Sequence, residues 1–442
     1  MLKDKNFYAR LRELMIPIAF QNFMLAAVSA GDSAMLGFVD ENAMAAVSLA
    51  GNIQFVENLF LSAIVCGGTI MTAQYWGKGD KSTVGRLFGL ILRYALAVSV
   101  LFAIISFIFP GFLMALFTNE TELISLGAQY IRIAALSYLI TGITQCWLCV
   151  MKTTGQTRQS AVISTSALIL DTVLNAIFIF GFHMGVNGAA LTTTLARIVE
   201  LMAVLLYTRR MAVKPDFGKV SAGINKDFVR CSVPILINSM AWGVGTTLYS
   251  VIIGHLGMVM TAANSVANIV RQLAISVCRG LGSGGEILLA SVLGSGDLVK
   301  GKAYGSQLSK LSVLCGVVCA GLALIFGLML SHFMTLSMEV RRELNIMIVI
   351  SAFYMLSLSV NTVVICGIFT AGGDTAFDAY SVAVTMWLVI LPAAAAAAFW
   401  LKLDPMVVYI ILSLDEVIKI PWVYAHYKKY KWLKNITREE TL

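Results

Sequence analysis

Apolar and polar residues alternate along this chain in long blocks, not in single steps. Twelve apolar segments, at about 13–37, 45–74, 87–110, 125–150, 160–182, 188–207, 231–254, 260–292, 303–331, 345–369, 378–400 and 405–427, are separated by short polar stretches. Each approaches or exceeds the roughly 20 residues that cross a hydrocarbon core of ~30 Å. The residue-by-residue alternation of barrel strands is absent, so the segments are predicted to be helices that satisfy their own backbone hydrogen bonds. The expected fold is an all-α integral membrane protein.

The segments also repeat. Pro17 to Asp80 matches Pro234 to Asp297 without a gap at a constant offset of 217 residues. Gly37 falls on Gly254, Ala45-Ala46 on Ala262-Ala263, and Gly67-Gly68 on Gly284-Gly285. Gly77-Lys78-Gly79-Asp80 then falls on Gly294-Ser295-Gly296-Asp297. A period of half the chain is too long for a solenoid unit and predicts two six-helix bundles related by a pseudo-twofold axis. With an even number of spans per half, both bundles enter the membrane from the same side. The expected domains are residues 1–207, a linker at 208–230 carrying Pro215, Gly218 and Gly223, and residues 231–442.

Composition agrees: 58% of the 442 residues are hydrophobic and 13% charged, against about 25% charged in soluble domains. Placing both termini inside puts about 22 Lys and Arg on the inner side, and Arg341, Arg342 and Lys402 on the outer. The orientation follows, with both termini cytoplasmic in a cell membrane. The net charge of +8 then reads as topology and contact with anionic lipid, not as nucleic-acid binding. Met1 to Glu13 is polar and basic with no cleavage site at the usual spacing, so the first helix is expected to stay.

Enzyme chemistry finds little support. The eight cysteines lie in apolar segments or at their margins, as buried thiols do. Cys146-Trp147-Leu148-Cys149 has redox spacing but no second pair beside it. The chain has no phosphate loop, no G-x-S-x-G elbow and no H-E-x-x-H pair. Gly280-Leu281-Gly282-Ser283-Gly284-Gly285 sits inside an apolar segment, where small residues serve close helix packing. No catalytic residue and no cofactor are expected.

Polar residues inside the apolar segments carry the functional signal, because a charge at a helix centre costs roughly 2.5–3.5 kcal/mol on insertion scales. Asp32 is one such residue; its bland reading is an interfacial acid. Asp171 and Asn175 in span five are four apart and share one helix face. Thr192-Thr193-Thr194 in span six offers further oxygens, although threonines in helices often bond their own backbone. Such a group could exchange a proton or hold Na⁺.

Several motifs together resemble the multidrug and toxic compound extrusion (MATE) family over nearly the whole chain. They are Pro17 to Asp32 followed by Met35-Leu36-Gly37, the two Gly-x-Gly-Asp loops, and Lys152-Thr153-Thr154-Gly155-Gln156-Thr157-Arg158. Asn175 through Ile179-Phe180-Gly181 and Gly188-Ala189-Ala190-Leu191-Thr192-Thr193 complete the set. The resemblance implies a monomeric exporter of lipophilic, often cationic, small organic compounds, driven by H⁺ or Na⁺ through alternating access. It points to the branch similar to DNA-damage-inducible protein F, with coupling at Asp32, Asp171, Asn175 and Thr193, these same residues holding Na⁺ if that is the ion, and with bending of span one at Pro17. The family usually has Asn before Asp in span five; here the two are exchanged. The other branch places acids on spans seven and ten, where this chain has Asn238 and Asn361, so coupling is expected in the first bundle. Glu57, Arg197, Glu200, Arg271 and Glu286 are expected to pair structurally. Two alternatives stand beside the exporter. A lipid-linked-precursor flippase needs a strongly cationic cavity, for which Arg93, Arg132, Arg197 and Arg271 are scattered candidates; a receptor or scaffold without transport has no need of duplicated halves.

Overall fold

The computed structural model of the chain describes residues 5–37, 41–334 and 336–438. Every regular element among them is helical. The first half runs α1 (Lys5–Gly37), α2 (Glu41–Lys78), α3 (Lys81–Ile108), a short α4 (Pro110–Ala115), α5 (Thr121–Thr153), α6 (Thr157–Ala176) and α7 (Gly185–Tyr207). The second runs α8 (Ala222–His255), α9 (Met258–Gly294), α10 (Leu298–Phe333), α11 (Met338–Asn361), α12 (Ala376–Val382), α13 (Leu391–Ala395), α14 (Pro405–Leu412) and α15 (Asp415–Lys428). Several exceed what a bilayer needs: the 38 residues of α2 span ~57 Å at 1.5 Å per residue.

Among the described residues, eleven helices are long and apolar enough to cross a membrane. The twelfth expected segment, 405–427, is divided into α14 and α15 by a turn at Ser413 and Leu414. Local hydrogen bonds account for the break. The Ser413 hydroxyl donates to Tyr409 O at 2.9 Å, and the Glu416 amide donates to the side chain of Asp415 at 2.8 Å, so side chains compete with the helical ladder. Widened π-type turns interrupt other spans, at Ile177–Gly181 after α6, Thr362–Phe369 after α11, and Ala383–Ile390 after α12.

Two compact units emerge. One comprises Met24–Thr72 and Asp80–Phe228, and the other Met1–Phe23, Ala73–Gly79 and Val229–Glu439. In the first, α5 packs on α3 and α7, and α6 packs on α7. Within the second, α9, α10 and α11 pack on one another around a core that includes Leu288, Leu289, Met355 and Phe369. The glycine-rich stretch of α9 serves packing here: a methyl at Gly280 would lie 2.4 Å from Ala19 Cβ of α1, and one at Gly284 would lie 3.0 Å from Met15 N.

The repeated Gly-x-Gly-Asp loops have a local logic. Gly79 and Gly296 take φ of +86° and +85°, the left-handed region that glycine enters freely. Asp80 and Asp297 then cap the next helices, accepting from Thr83 N at 3.0 Å and Lys300 N at 2.9 Å. One motif therefore ends a helix and starts another, twice.

Candidate functional site

Spans five and six bring oxygens together inside the first unit. Asn175, near the end of α6, is 3% exposed. Its Oδ1 accepts from the hydroxyl of Thr192 on α7. Thr192 is fully buried, and its Oγ1 also lies 2.9 Å from Ala189 O of its own helix. Asp171 lies one turn before Asn175 on the same face; it is half-buried, and its Oδ1 is shielded from solvent. The π-type turn at Ile177–Gly181 begins two residues after Asn175 and widens the helix beside this pair.

The threonine run divides by register. Thr192 reaches Asn175, whereas the Thr194 hydroxyl donates to Ala190 O at 2.9 Å, and Thr193 between them is half-buried. Successive helical residues point ~100° apart, so one turn of α7 presents a single threonine to α6. Asp32 falls within α1, and its side chain lies outside the described residues. Pro17 lies inside α1, and Pro234, at the repeat offset, lies inside α8. Replacing Thr192 by Val should remove a buried donor and leave the Asn175 carbonyl with a lost partner. The expected cost is ~1–3 kcal/mol, read as a lowered thermal unfolding midpoint in detergent, with Thr193→Val affecting it less.

Other charges in this unit resolve differently. Arg197 and Glu200 form the ion pair expected of them, Nη1 to Oε2 at 2.7 Å. Glu57, fully buried on α2, takes a hydroxyl instead: Ser99 Oγ of α3 donates to its Oε1 at 2.9 Å.

A second polar centre lies in the other unit, and the sequence reading did not identify it. Glu416, in the first turn of α15, is 7% exposed. Its Oε1 accepts from Lys419 Nζ at 2.6 Å, and its Oε2 accepts from Asn361 Nδ2 at 2.8 Å. Asp415, 4% exposed, adjoins it. On α12, Asp378 Oδ2 accepts from Asn238 Nδ2 at 2.7 Å. Asn238 and Asn361, read above as positions without an acid, thus each hold a carboxylate supplied by another helix. The signal was present in the sequence as charges inside segments 378–400 and 405–427.

Comparison with known proteins follows the same duplication. The family model MatE matches the chain twice, at residues 17–177 and 234–395. The chain belongs to the MatE family. These matches begin at the two prolines that open the internal repeat. Among relatives of this MatE protein, the uncharacterized transporter YisQ of Bacillus subtilis is 21% identical over 98% of this chain and 96% of its own. The probable multidrug resistance protein YoeA of the same organism is 22% identical, covering 96% and 94%. A probable multidrug resistance protein NorM of Thermotoga maritima is 21% identical, covering 97% and 94%. Solved structures share the fold. An outward-facing multidrug resistance MATE transporter of the MOP superfamily aligns with TM-score 0.88 at 15% identity, covering 96% of each chain. A Vibrio cholerae MATE transporter, VcmN, aligns with TM-score 0.88 at 17% identity over 97% and 99%. The protein is therefore a multi-pass membrane transporter of a multidrug efflux family, and not an enzyme.

Proposed function

We propose that this MatE transporter is a cation-coupled antiporter that exports lipophilic, often cationic, organic compounds by alternating access. The observation that carries the coupling assignment is the buried contact of Asn175 with Thr192, one turn from Asp171. Asp32, Asp171, Asn175 and Thr193 form the coupling site in this reading, with Thr192 orienting the Asn175 amide. An acid there alternates between ionised and neutral forms, or between empty and Na⁺-bound forms. Either change alters packing only to the extent that the ion binds the two access states unequally. Pro17 lacks a backbone donor and lets α1 bend as the states exchange. Residues 1–207 and 231–442 act as the two rocking bundles, joined by 208–230. The protein works as a monomer in the cell membrane with both termini cytoplasmic, and it stands nearer the DNA-damage-inducible protein F-like branch.

The arginines favour export of organic compounds over lipid-linked pyrophosphates. Arg93 donates to Phe217 O and lies over the Phe217 ring at 5.9 Å, and Arg197 is paired with Glu200. Arg271 donates to Asn268 Oδ1 and lies over the Tyr354 ring at 5.8 Å. Three of the four scattered arginines are thus engaged by near neighbours in their own unit.

Proteoliposomes loaded with a fluorescent organic cation test the reading. Efflux should appear under an imposed H⁺ or Na⁺ gradient, and the ion that drives it names the coupling ion. Absence of efflux under both gradients, with translocation of a labelled lipid pyrophosphate instead, would establish the flippase.

A further inference from the structure

The chain beyond α15 has no regular structure, yet it is held at nearly every step. Tyr430 takes φ of +51°, the left-handed region that a tyrosine enters at an energetic cost. That turn directs Trp432 onto α10, where it is fully buried. A methyl at Gly305 of α10 would overlap its ring, and one at Gly372, in the 3₁₀ turn beyond α11, would overlap its carbonyl. Trp432 Nε1 donates back to Tyr427 O at 3.1 Å, and the two rings stack with centroids 5.7 Å apart. A strained turn persists where its surroundings over-determine it, and the docked indole does so here.

Past Trp432 the strap crosses the end of α2. Gln74, fully buried, uses both ends of its amide. Its Nε2 donates to Ala371 O at 2.7 Å and to Lys434 O at 3.4 Å, and its Oε1 accepts from Ile436 N at 2.9 Å. Tyr75 Oη accepts from Arg438 N at 3.0 Å, and Lys78 Nζ donates to Arg438 O at 3.0 Å. On α9, Gly294 O accepts from Asn435 Nδ2 at 3.3 Å. A strap without a ladder of its own thus satisfies its backbone on three side chains of α2. If that end of α2 leaves, these groups lose their partners, at a cost for each one that stays buried.

The attachment matters because α2 belongs to both units. Its residues through Thr72 fall in one, whereas Ala73–Gly79 fall in the other together with the strap. Ala73 is fully buried in the core of that second unit, which also holds Phe7, Leu11 and Leu288. When two bundles rock, a helix shared in this way bends or withdraws its end, and the bonds above exist only while the end stays. They therefore favour one access state over the other. The arrangement is one-sided. After α7 the chain also lies along a glycine of the third span, with Asp216 N donating to Gly85 O at 2.9 Å. The repeat position of Gln74, however, is Ser291, whose hydroxyl sits directly on Cβ, and α9 lies wholly within one unit.

We propose that Lys431–Arg438 is a latch on the end of α2, engaged while that end is docked on the second unit and released when the transporter opens there, so that it sets the balance between the two access states. The proposal rests on the alternating-access reading given above. Gln74 is its positioning residue, since one side chain bonds both the strap and the turn beyond α11. Loss of one or two such hydrogen bonds shifts a two-state balance by on the order of tenfold.

A thiol placed in the full chain by Ala73→Cys reports release, because that position is buried while the latch is engaged. Its reaction with a water-soluble maleimide is read by mass spectrometry on the peptide carrying residue 73, so the eight native cysteines do not contribute. Gln74→Leu and Ile436→Pro remove the same hydrogen bond from its two sides. Each should speed labelling at residue 73 on the order of tenfold, and the two together by less than the product of their effects. Cys146 and Cys319, both fully buried, should stay unlabelled. Rates unchanged by both variants would overturn the proposal, and so would a response to Gln74→Leu alone, which would be a local effect on its neighbour. Labelling of Cys146 and Cys319 in both variants would show the strap to be a fixed part of the core and would overturn it as well. In a second arm, Lys78→Cys with Arg438→Cys is bridged by a short bis-methanethiosulfonate, the two single variants being the controls. The bridged protein should lose efflux in proteoliposomes and regain it when a reductant cuts the bridge; full efflux with the bridge in place sinks the latch. Efflux absent even after reduction counts against the export reading instead, and the labelling rates then decide the latch on their own.

Discussion

Asp171→Asn is expected to reduce gradient-driven efflux by about 5- to 150-fold, the range in which coupling free energies between sites fall. The side chain is half-buried on the face of α6 that also carries Asn175, so Asn preserves its volume and removes only its ability to titrate or to hold a cation. Binding of the organic compound in the absence of a gradient should persist, because the substitution leaves both access states intact and removes only what makes the ion prefer one of them. Asp32→Asn should behave in the same way. The check is efflux in proteoliposomes with and without the driving gradient, beside equilibrium binding of the same fluorescent cation. Coupled efflux unchanged in both variants would remove the site from the first half. Unchanged efflux in these two together with loss in Asp378→Asn would move it to the second.

How far the sequence reached differs between the frame and the chemistry. Eleven spans and the duplication were legible because each rests on a long-range average: ~20 apolar residues, or 64 aligned positions from Pro17 to Asp80. The division of the twelfth span was not, because it turns on which of Ser413 and Asp415 bonds back to the chain, a choice hydropathy does not encode. At the site the limits are similar. Asp171 and Asn175 share a face by spacing alone, but whether Thr192 or Thr193 meets Asn175 depends on the rotation of α7 about its axis. That rotation is set by packing on α5 and α6.

The second polar centre shows a different limit. Asn238 and Asn361 were read as positions without an acid, and that reading passed over the carboxylates that other helices bring to them. Each amide grips a carboxylate 140 or 55 residues away in the chain. A missing charge on one helix says nothing about what a neighbouring helix contributes. Asp415 and Glu416 fall inside segment 405–427, which was read as one continuous span, and neither was given a role.

Substitution at Gly77 or Gly294 is expected to have a large structural effect, because a methyl at either would meet backbone at under 2 Å. The two glycines are related by the repeat offset, and their contacts are reciprocal. A methyl on Gly77 of α2 would lie 1.8 Å from Ser291 O of α9, and one on Gly294 of α9 would lie 1.9 Å from Gln74 O of α2. Gln74 and Ser291 are themselves related by the offset of 217 residues. The two helices therefore cross backbone to backbone at the loop end, and no side-chain rotation can relieve the clash, because the obstacle is a carbonyl. The same end of α2 is held by hydrogen bonds: Gln74 Nε2 donates to Ala371 O at 2.7 Å, and Gln74 Oε1 accepts from Ile436 N at 2.9 Å. Overpacking of a filled site costs ~1–3 kcal/mol, and a fixed backbone obstacle places these variants at or above the top of that range. Gly77→Ala and Gly294→Ala should each lower the thermal unfolding midpoint and reduce efflux, and Val should be worse than Ala at both. The double Ala variant should cost much less than the two single costs together, since helices parted by one methyl already have room for the other. Gly51→Ala, where a methyl meets nothing within 4 Å, is the control and should be neutral or stabilising by up to ~1 kcal/mol. Additive losses in the double variant would show that the two glycines do not share one crossing. Midpoints unchanged from wild type would show that the α2–α9 approach does not contribute to the folded state.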